Sequence, residues 1–476
     1  MRADIVFTRP RLSPEEEYGH LSKVGSVEIP NGLCWLAACT RKAGYKTEII
    51  DAHAMNISND ELTDLILEKS PKYLGISANT INIYSAADLA KRIKNLNPKI
   101  KIIVGGPHIT AVPIETLERF PEIDIGVIGE GEITIVDLLN TLENGKDLKN
   151  VKGIVYRKDK NIILTERREF IKNLDQLPFP AFDLLPDIKK YYRPPAWSLH
   201  RKTSALLITS RGCPFQCTFC DRAVFGNIAR AHSAEYVMKM IRELYYKYGV
   251  RHLRLNEDNL LLFKDRLKKI CKAIIKEKLK LTWSCFARAD CVDLELLKLM
   301  KKAGCWQISY GIESGEQKIL DVEKKNITLE QIEKAVRLTK KVGIRVVGFN
   351  MIGHPLETIE SMKKTIDFNK RIKVDDFKTE FLTPFPGTEL YYTAEKYGVL
   401  DRDWRKMGVY RDPIFIPYGL TKDLLIEWHK RGLWQFYLQP RIIFSYLMQI
   451  RSIEDIKTLF LGAITILSLV FSKKKR

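Results

Sequence analysis

Ser210-Arg211-Gly212-Cys213-Pro214-Phe215-Gln216-Cys217-Thr218-Phe219-Cys220-Asp221 puts three thiols within eight residues. The stretch directly follows the apolar run Ala205-Leu206-Leu207-Ile208-Thr209, which reads as a buried strand. Thiols this close can grip one metal centre from a single loop, as an iron–sulfur cluster or as zinc. Structural zinc would still need a fourth ligand, and three unlinked core cysteines are the bland alternative. A four-iron cluster normally takes four Cys, so three leave one iron open to a substrate or cofactor.

A chain of 476 residues should hold two or three domains around a large core. Apolar residues at 45% and charged residues at 29% exclude collagen-like and disordered classes. The opening Met1-Arg2-Ala3-Asp4-Ile5-Val6-Phe7-Thr8 is too short an apolar run for a signal peptide, and Arg9-Pro10-Arg11 ends it. A cytoplasmic protein with its nine Cys reduced is expected. The net charge of +20 favours anionic partners such as phospholipid surfaces, nucleic acid or phosphorylated substrates.

Residues 1–145 alternate strand and helix signals, the pattern of a doubly wound α/β sheet. Five strands are predicted over 4–8, 46–51, 73–77, 100–105 and 123–129, with helices over 33–42, 60–69 and 85–95 between them. Ligands in such sheets sit beyond the carboxyl ends of the strands. Those ends carry Asp51 and His53, Ser77 and Thr80, Gly105-Gly106-Pro107-His108, and Gly129-Glu130-Gly131. Glycines there let a bulky, flat ligand approach the backbone. A dinucleotide fold is not supported, because no Gly-x-Gly-x-x-Gly follows the first strand.

Residues 146–204 read as a connector, with a hairpin over 152–157 and 161–165 followed by a proline-rich stretch from Pro178 to Pro195. Over 205–400 six strand–helix units are predicted, with strands beginning near Ala205, Val250, Lys280, Cys305, Ile344 and Asp376. That is a partial (β/α)6 TIM-like barrel, whose working groups belong at the strand C-termini. The Cys loop occupies that position after the first strand. Cys271, Cys285, Cys291 and Cys305 lack mutual ligand spacing and read as core.

Cys213-x3-Cys217-x2-Cys220, with Phe219 before the last Cys, resembles the signature of the radical S-adenosylmethionine (SAM) enzymes. The first 145 residues resemble the cobalamin-binding domain that precedes the radical SAM domain in one large subfamily. The resemblance implies a 4Fe-4S cluster on Cys213, Cys217 and Cys220, and SAM on its open iron. Glu313 and Ser314 would hold the ribose and amino acid portion of SAM, with Arg288 near its carboxylate and Asp258 near its amino end. Phe219, Gly311 and Asn350 would complete the SAM site. Cobalamin would lie on Ser77, Thr80, Gly105, Gly106, Pro107, Gly129, Glu130 and Gly131. His53 matches a cobalt-ligand position with Asp51 behind it, although position 56 is Asn where the family pattern has Gly.

Residues 401–476 are predicted to be α-helical and rich in aromatic and basic residues. The apolar run 459–471 is too short to span a bilayer, and it leads to Lys473-Lys474-Lys475-Arg476. It reads as a helix lying peripherally on the inner, anionic face of a membrane, or else packed on the barrel. The resulting expectation is an enzyme that methylates, or forms a C–C bond on, an apolar, lipid-like small molecule. Its electrons would come from a flavodoxin- or ferredoxin-type donor. Anaerobic porphyrin cyclisation, RNA methylthiolation and a non-catalytic cobalamin or redox sensor are the alternatives. Nucleic acid is the less expected partner, since the extra Cys and small C-terminal barrel of the RNA-modifying branch are not evident.

Overall fold

The computed structural model describes residues 2–19, 25–194, 203–450, 453, 456, 457 and 459–464. The first sheet is built from β1 (Ile5–Arg9), β2 (Thr47–Asp51), β3 (Tyr73–Ser77), β4 (Lys101–Gly105), β5 (Ile125–Val127), β6 (Ile154–Lys158) and β7 (Asn161–Leu164). Their order is β2-β1-β3-β4-β5-β6-β7. β1 to β5 pair in parallel, so they need cover on both faces and are correspondingly apolar. Helices α1 (Asn31–Lys42), α2 (Asn59–Lys69), α3 (Ile83–Leu96) and α4 (Gly131–Glu143) supply that cover. α2 begins in a capping box between Ser58 and Glu61. The order reverses at β1 and β3, where a doubly wound sheet opens its ligand crevice.

The hairpin expected in the connector joins this sheet. β6 pairs antiparallel with β5, and β7 with β6. Ile154, Val155 and Tyr156 are all buried, so the hairpin protects what would otherwise be an open sheet edge.

The second sheet contains β8 (Ser204–Leu207), and further along the chain β11 (His252–Leu255), β12 (Thr282–Ala287), β13 (Cys305–Glu313), β14 (Arg345–Ile352) and β15 (Asp376–Phe381). The intervening short strands β9 (Ser210–Arg211) and β10 (Arg230–Ala231) pair with each other and bracket the Cys loop. The six long strands run parallel in the order β15-β14-β13-β12-β11-β8, a partial barrel. Helices α5 (Ala234–Tyr246), α6 (Lys264–Lys276), α7 (Leu294–Lys302), α8 (Leu329–Lys341) and α9 (Ile359–Arg371) wrap it. Cys271, Cys285 and Cys305 are buried free thiols, whereas Cys291, also expected in the core, is only half-buried, with its sulfur beside Asp290 and Asn259.

One apolar core runs through both sheets, joining Phe7 and Leu33 to Tyr192, Leu253, Ile308 and Phe436. α10 (Lys422–Tyr437) buries Leu425, Trp428 and Phe436 on the barrel side. Pro440 then starts α11 (Pro440–Leu447), whose Ile443, Phe444 and Leu447 are exposed. Among the described residues no helix is long and apolar enough to cross a membrane. The end of the predicted tail helix and the basic residues Lys473 to Arg476 lie outside the described residues.

Candidate active site

The Cys loop is fastened before and after its thiols. Gly212 opens it at φ +81°, and an added Cβ there would come within 2.4 Å of the Ile228 carbonyl oxygen. Only glycine suits that conformation and approach. The Gly212 amide donates to Asp258 Oδ2 at 2.8 Å, and the Thr209 amide donates to Glu257 Oε1 at 3.1 Å. The Thr209 and Ser210 hydroxyls also donate to Glu257, which Arg266 approaches at 3.3 Å. At the middle of the loop, the Thr218 hydroxyl donates to the Glu323 carboxylate and its amide to the Glu323 carbonyl.

Cys217 is buried, Cys213 half-buried and Cys220 exposed. The Cys220 residue is exposed, but its sulfur is desolvated, which raises the thiol, and the nearby Cys217 and Cys213 sulfurs raise it further. Among the described residues no three His, Cys, Asp or Glu side chains gather tightly enough to hold a single ion. Three loop thiols with no fourth protein ligand beside them among the described residues suit a four-iron cluster with one open iron better than a structural zinc, which needs four. Arg288 adds positive charge where an anionic cluster needs it. Its Nη1 lies 3.9 Å from Cys217 Sγ, and its guanidinium stacks 3.5 Å over the Phe215 ring. Asp290 holds the fork through two bonds of 3.1 and 3.0 Å.

The other residues expected around SAM divide in two. Glu313 closes β13 at φ +63°, with Oε1 2.5 Å from Lys325 Nζ. Gly311 makes room for that pair, because a Cβ there would stand 2.3 Å from Glu313 Oε1. Lys325 also faces the Phe219 ring, at 5.8 Å. Ser314 and Asn350, by contrast, are turned inward. Ser314 Oγ is 3.2 Å from Thr365 Oγ1, and the Asn350 amide bonds the Gly348 and Lys378 carbonyls and Asn369. They brace the strand ends rather than offer free groups.

Lys325, Glu257, Glu323 and His354 are absent from the sequence expectation. Glu323 and Lys325 share the turn after residues 317–322, Glu257 stands beside Asp258, and His354 follows β14, and none of the four carries a motif that would assign it a role. His354 is fully buried, with Nδ1 3.0 Å from Glu323 Oε1 and Nε2 3.4 Å from the Glu313 carbonyl. Burial pulls its imidazole down, but the Glu323 hydrogen bond and the Glu357, Glu323 and Glu313 carboxylates outweigh it and raise it to about 9.

Beyond β3, β4 and β5 lies a cavity of about 240 Å3 whose lining includes Ser77, Gly105, Gly106, Pro107, Gly129, Glu130 and Gly131. Added Cβ atoms at Gly32, Gly105 and Gly129 would meet no atom nearer than 3.8 Å, so the glycines keep open a space that side chains would fill. That cradle fits a large, flat cofactor. Val224 and Phe225, just after Cys220, form its far wall. Glu130, however, has both oxygens engaged. Arg211 and Arg230 each approach to 2.8 Å, and the Ile171 amide donates at 2.8 Å. Arg211 also pairs with Glu132 at 2.5 Å.

Thr80, Asp51 and His53 do not line the cavity. Thr80 Oγ1 sits 3.1 Å from His108 Nδ1. Asp51 is clamped by Arg9 at 2.8 and 2.9 Å and accepts from the Tyr192 hydroxyl at 2.8 Å. His53 follows β2, the outer strand, and its Nε2 is 3.4 Å from Glu17 Oε2. Burial lowers it to about 4.

A second chamber of about 290 Å3 occupies the barrel lumen, bordered also by Glu17, Tyr18 and Ile81 from the first domain and Tyr410 from beyond the barrel. Strand register stacks its wall in layers. Arg254, Ser284 and Gln307 are successive partners across β11, β12 and β13, and Phe286 pairs with Ser309 above them.

Residues 207–368 match the radical SAM superfamily and residues 19–139 the B12 binding domain. An uncharacterized methyltransferase of Pyrococcus horikoshii is 33% identical over 422 residues, covering 88% of this chain and 90% of the relative. The anaerobic magnesium-protoporphyrin IX monomethyl ester cyclase of Rubrivivax gelatinosus is 28% identical over 426 residues, 83% of this chain and 76% of its own. Among solved structures, the cobalamin-dependent S-adenosylmethionine radical enzyme OxsB superposes with a TM-score of 0.75 at 18% identity, covering 98% of this chain and 72% of that one. The chain therefore belongs to the radical SAM enzymes that carry a B12-binding domain, with a 4Fe-4S cluster, SAM and cobalamin as its cofactors.

Proposed function

We propose that the enzyme methylates, or forms a C–C bond at, an unactivated carbon of a lipid-like small molecule. The observation that carries the reading is the shared wall. Val224 and Phe225, four and five residues beyond Cys220, line the glycine-rich cavity, so the cluster loop and the corrinoid cradle are built against each other. Cys213, Cys217 and Cys220 would hold the cluster, and Ser77, Gly105, Gly106, Pro107, Gly129 and Gly131 the corrinoid. Together the bound cofactors supply reducing electrons, a hydrogen-abstracting radical and a transferable methyl group.

The chain's own part is placement and exclusion of water. Glu257 and Asp258 fix the start of the cluster loop through its backbone and hydroxyl donors. Arg288 offsets negative charge beside Cys217, and the Glu313–Lys325 pair presents a carboxylate at the end of β13. Tyr18 and Tyr410 border the lumen, and a substrate seated against them would leave less room for water at a reactive carbon. The exposed Ile443, Phe444 and Leu447 favour an oily substrate or a membrane source for it. A flavodoxin- or ferredoxin-type protein is the proposed reductant.

Anaerobic reconstitution with iron, sulfide and cobalamin tests the reading. About four irons and one corrinoid per chain, with 5′-deoxyadenosine released from SAM under a strong reductant, is the expected result. Zinc in place of iron would sink it. Iron binding without SAM cleavage would favour a sensor instead.

A further inference from the structure

The lumen chamber differs in character from an oily tunnel. Asn256, Ser284, Gln307 and Ser309 line it with uncharged hydrogen-bonding groups, and Phe286 and Phe349 add flat aromatic faces. Gln307 is 6% exposed, and its amide oxygen has no hydrogen-bond partner. A buried acceptor left unpaired is costly, and one that borders a chamber is poised for a donor on a ligand. The charges nearby argue against an anion as that ligand. Arg254 is engaged by Glu28, and Arg345, next in register after Gln307, stands 3.6 Å from Asp376. Burial raises both Glu17 and Glu380 to about 7, the latter despite its hydrogen bond from Tyr410. An added negative group would meet Glu17 in the chamber wall, where the lining cation Arg254 is already paired with Glu28.

We propose that the chamber receives a hydroxyl-bearing end of the substrate, with a substrate O–H donating to Gln307. This deepens the methyl-transfer reading above and rests on it. The hydrocarbon part then stays at the mouth of the barrel, away from Ser284, Gln307 and Ser309.

Three probes with one tail and different heads test this on the reconstituted full-length protein: 1-O-octylglycerol, octyl phosphate and octyl methyl ether. Affinities are read by calorimetry and saturation-transfer NMR. 1-O-Octylglycerol is expected to bind at least tenfold more tightly than the other two. Gln307→Leu should erase most of that preference, weakening 1-O-octylglycerol by about tenfold, while the corrinoid absorbance reports that the protein is folded and loaded. Ser309→Ala, a milder change on the same strand, should weaken it severalfold if the leucine variant fails to fold. Tighter binding of octyl phosphate would overturn the assignment. So would equal binding of all three probes, or a preference that Gln307→Leu and Ser309→Ala leave intact. Failure of the underlying reading is seen separately, as absent iron, corrinoid or 5′-deoxyadenosine whichever probe binds.

Discussion

Gly32 offers a residue-scale test of the corrinoid cradle, because it borders the cavity and a Cβ there meets nothing within 4 Å. Gly32→Leu should leave folding intact or raise stability by up to about 1 kcal/mol, as glycine replacement in a helix does. The same side chain fills the cradle, and corrinoid retention after gel filtration should fall at least tenfold. A second residue-scale expectation concerns His354. Its folded value of about 9 lies above the unfolded value of about 6.5, so the protonated imidazole is favoured in the native state. Its contribution is full below about pH 6.5 and is lost as pH rises through 9. The melting temperature should therefore decline from pH 6.5 to 9.5, and His354→Gln should flatten that decline. At this scale the sequence is legible where a site is local. Cys213, Cys217 and Cys220 share one loop, and Gly105, Gly106 and Gly129 mark strand ends. Lys325 and Glu257 gain meaning only from partners, Glu313 and Thr209, that the fold brings to them. Glu130 shows the converse, since a carboxylate at a strand end reads as a ligand until Arg211 and Arg230 are seen to occupy it.

At the scale of elements, periodicity locates the strands of both sheets, and the helices over 33–42, 60–69 and 85–95, to within a few residues, because buried parallel strands are short apolar runs between amphipathic helices. Pairing is less readable. The β6–β7 hairpin carries the same pattern whether it stands alone or extends a sheet, and only the open edge of β5 decides. α11 invites a direct test, since an exposed row of Ile443, Phe444 and Leu447 on a chain of net charge +20 suits an anionic lipid surface. Co-sedimentation with phosphatidylglycerol vesicles should be salt-sensitive. Phe444→Glu with Leu447→Glu should reduce it at least fivefold while moving unfolding stability by no more than about 0.5 kcal/mol. Unchanged binding in the double variant would place the lipid contact elsewhere.

For the whole molecule, the composition already indicates several domains, but not how firmly they are joined. The core passes without interruption from Phe7 through Tyr192 to Phe436. At the junction Arg211, from the strand leading into the cluster loop, is buried between Glu130 and Glu132 of the first domain. Arg211→Met would leave those carboxylates buried with one cation fewer, and should cost about 3–5 kcal/mol in denaturant titration. The loss should appear as one cooperative transition followed at both the corrinoid and the iron–sulfur absorbance. The same junction bears on how such a protein can diversify. Shuffling the first sheet with its hairpin, up to Leu164, between relatives would carry Glu130 and Glu132 away from Arg211 and Arg230, stranding charge on both sides of the cut. Viable chimeras should need the two glutamates and two arginines to travel as a set, so inheritance of the corrinoid half and the radical half is tied at four positions.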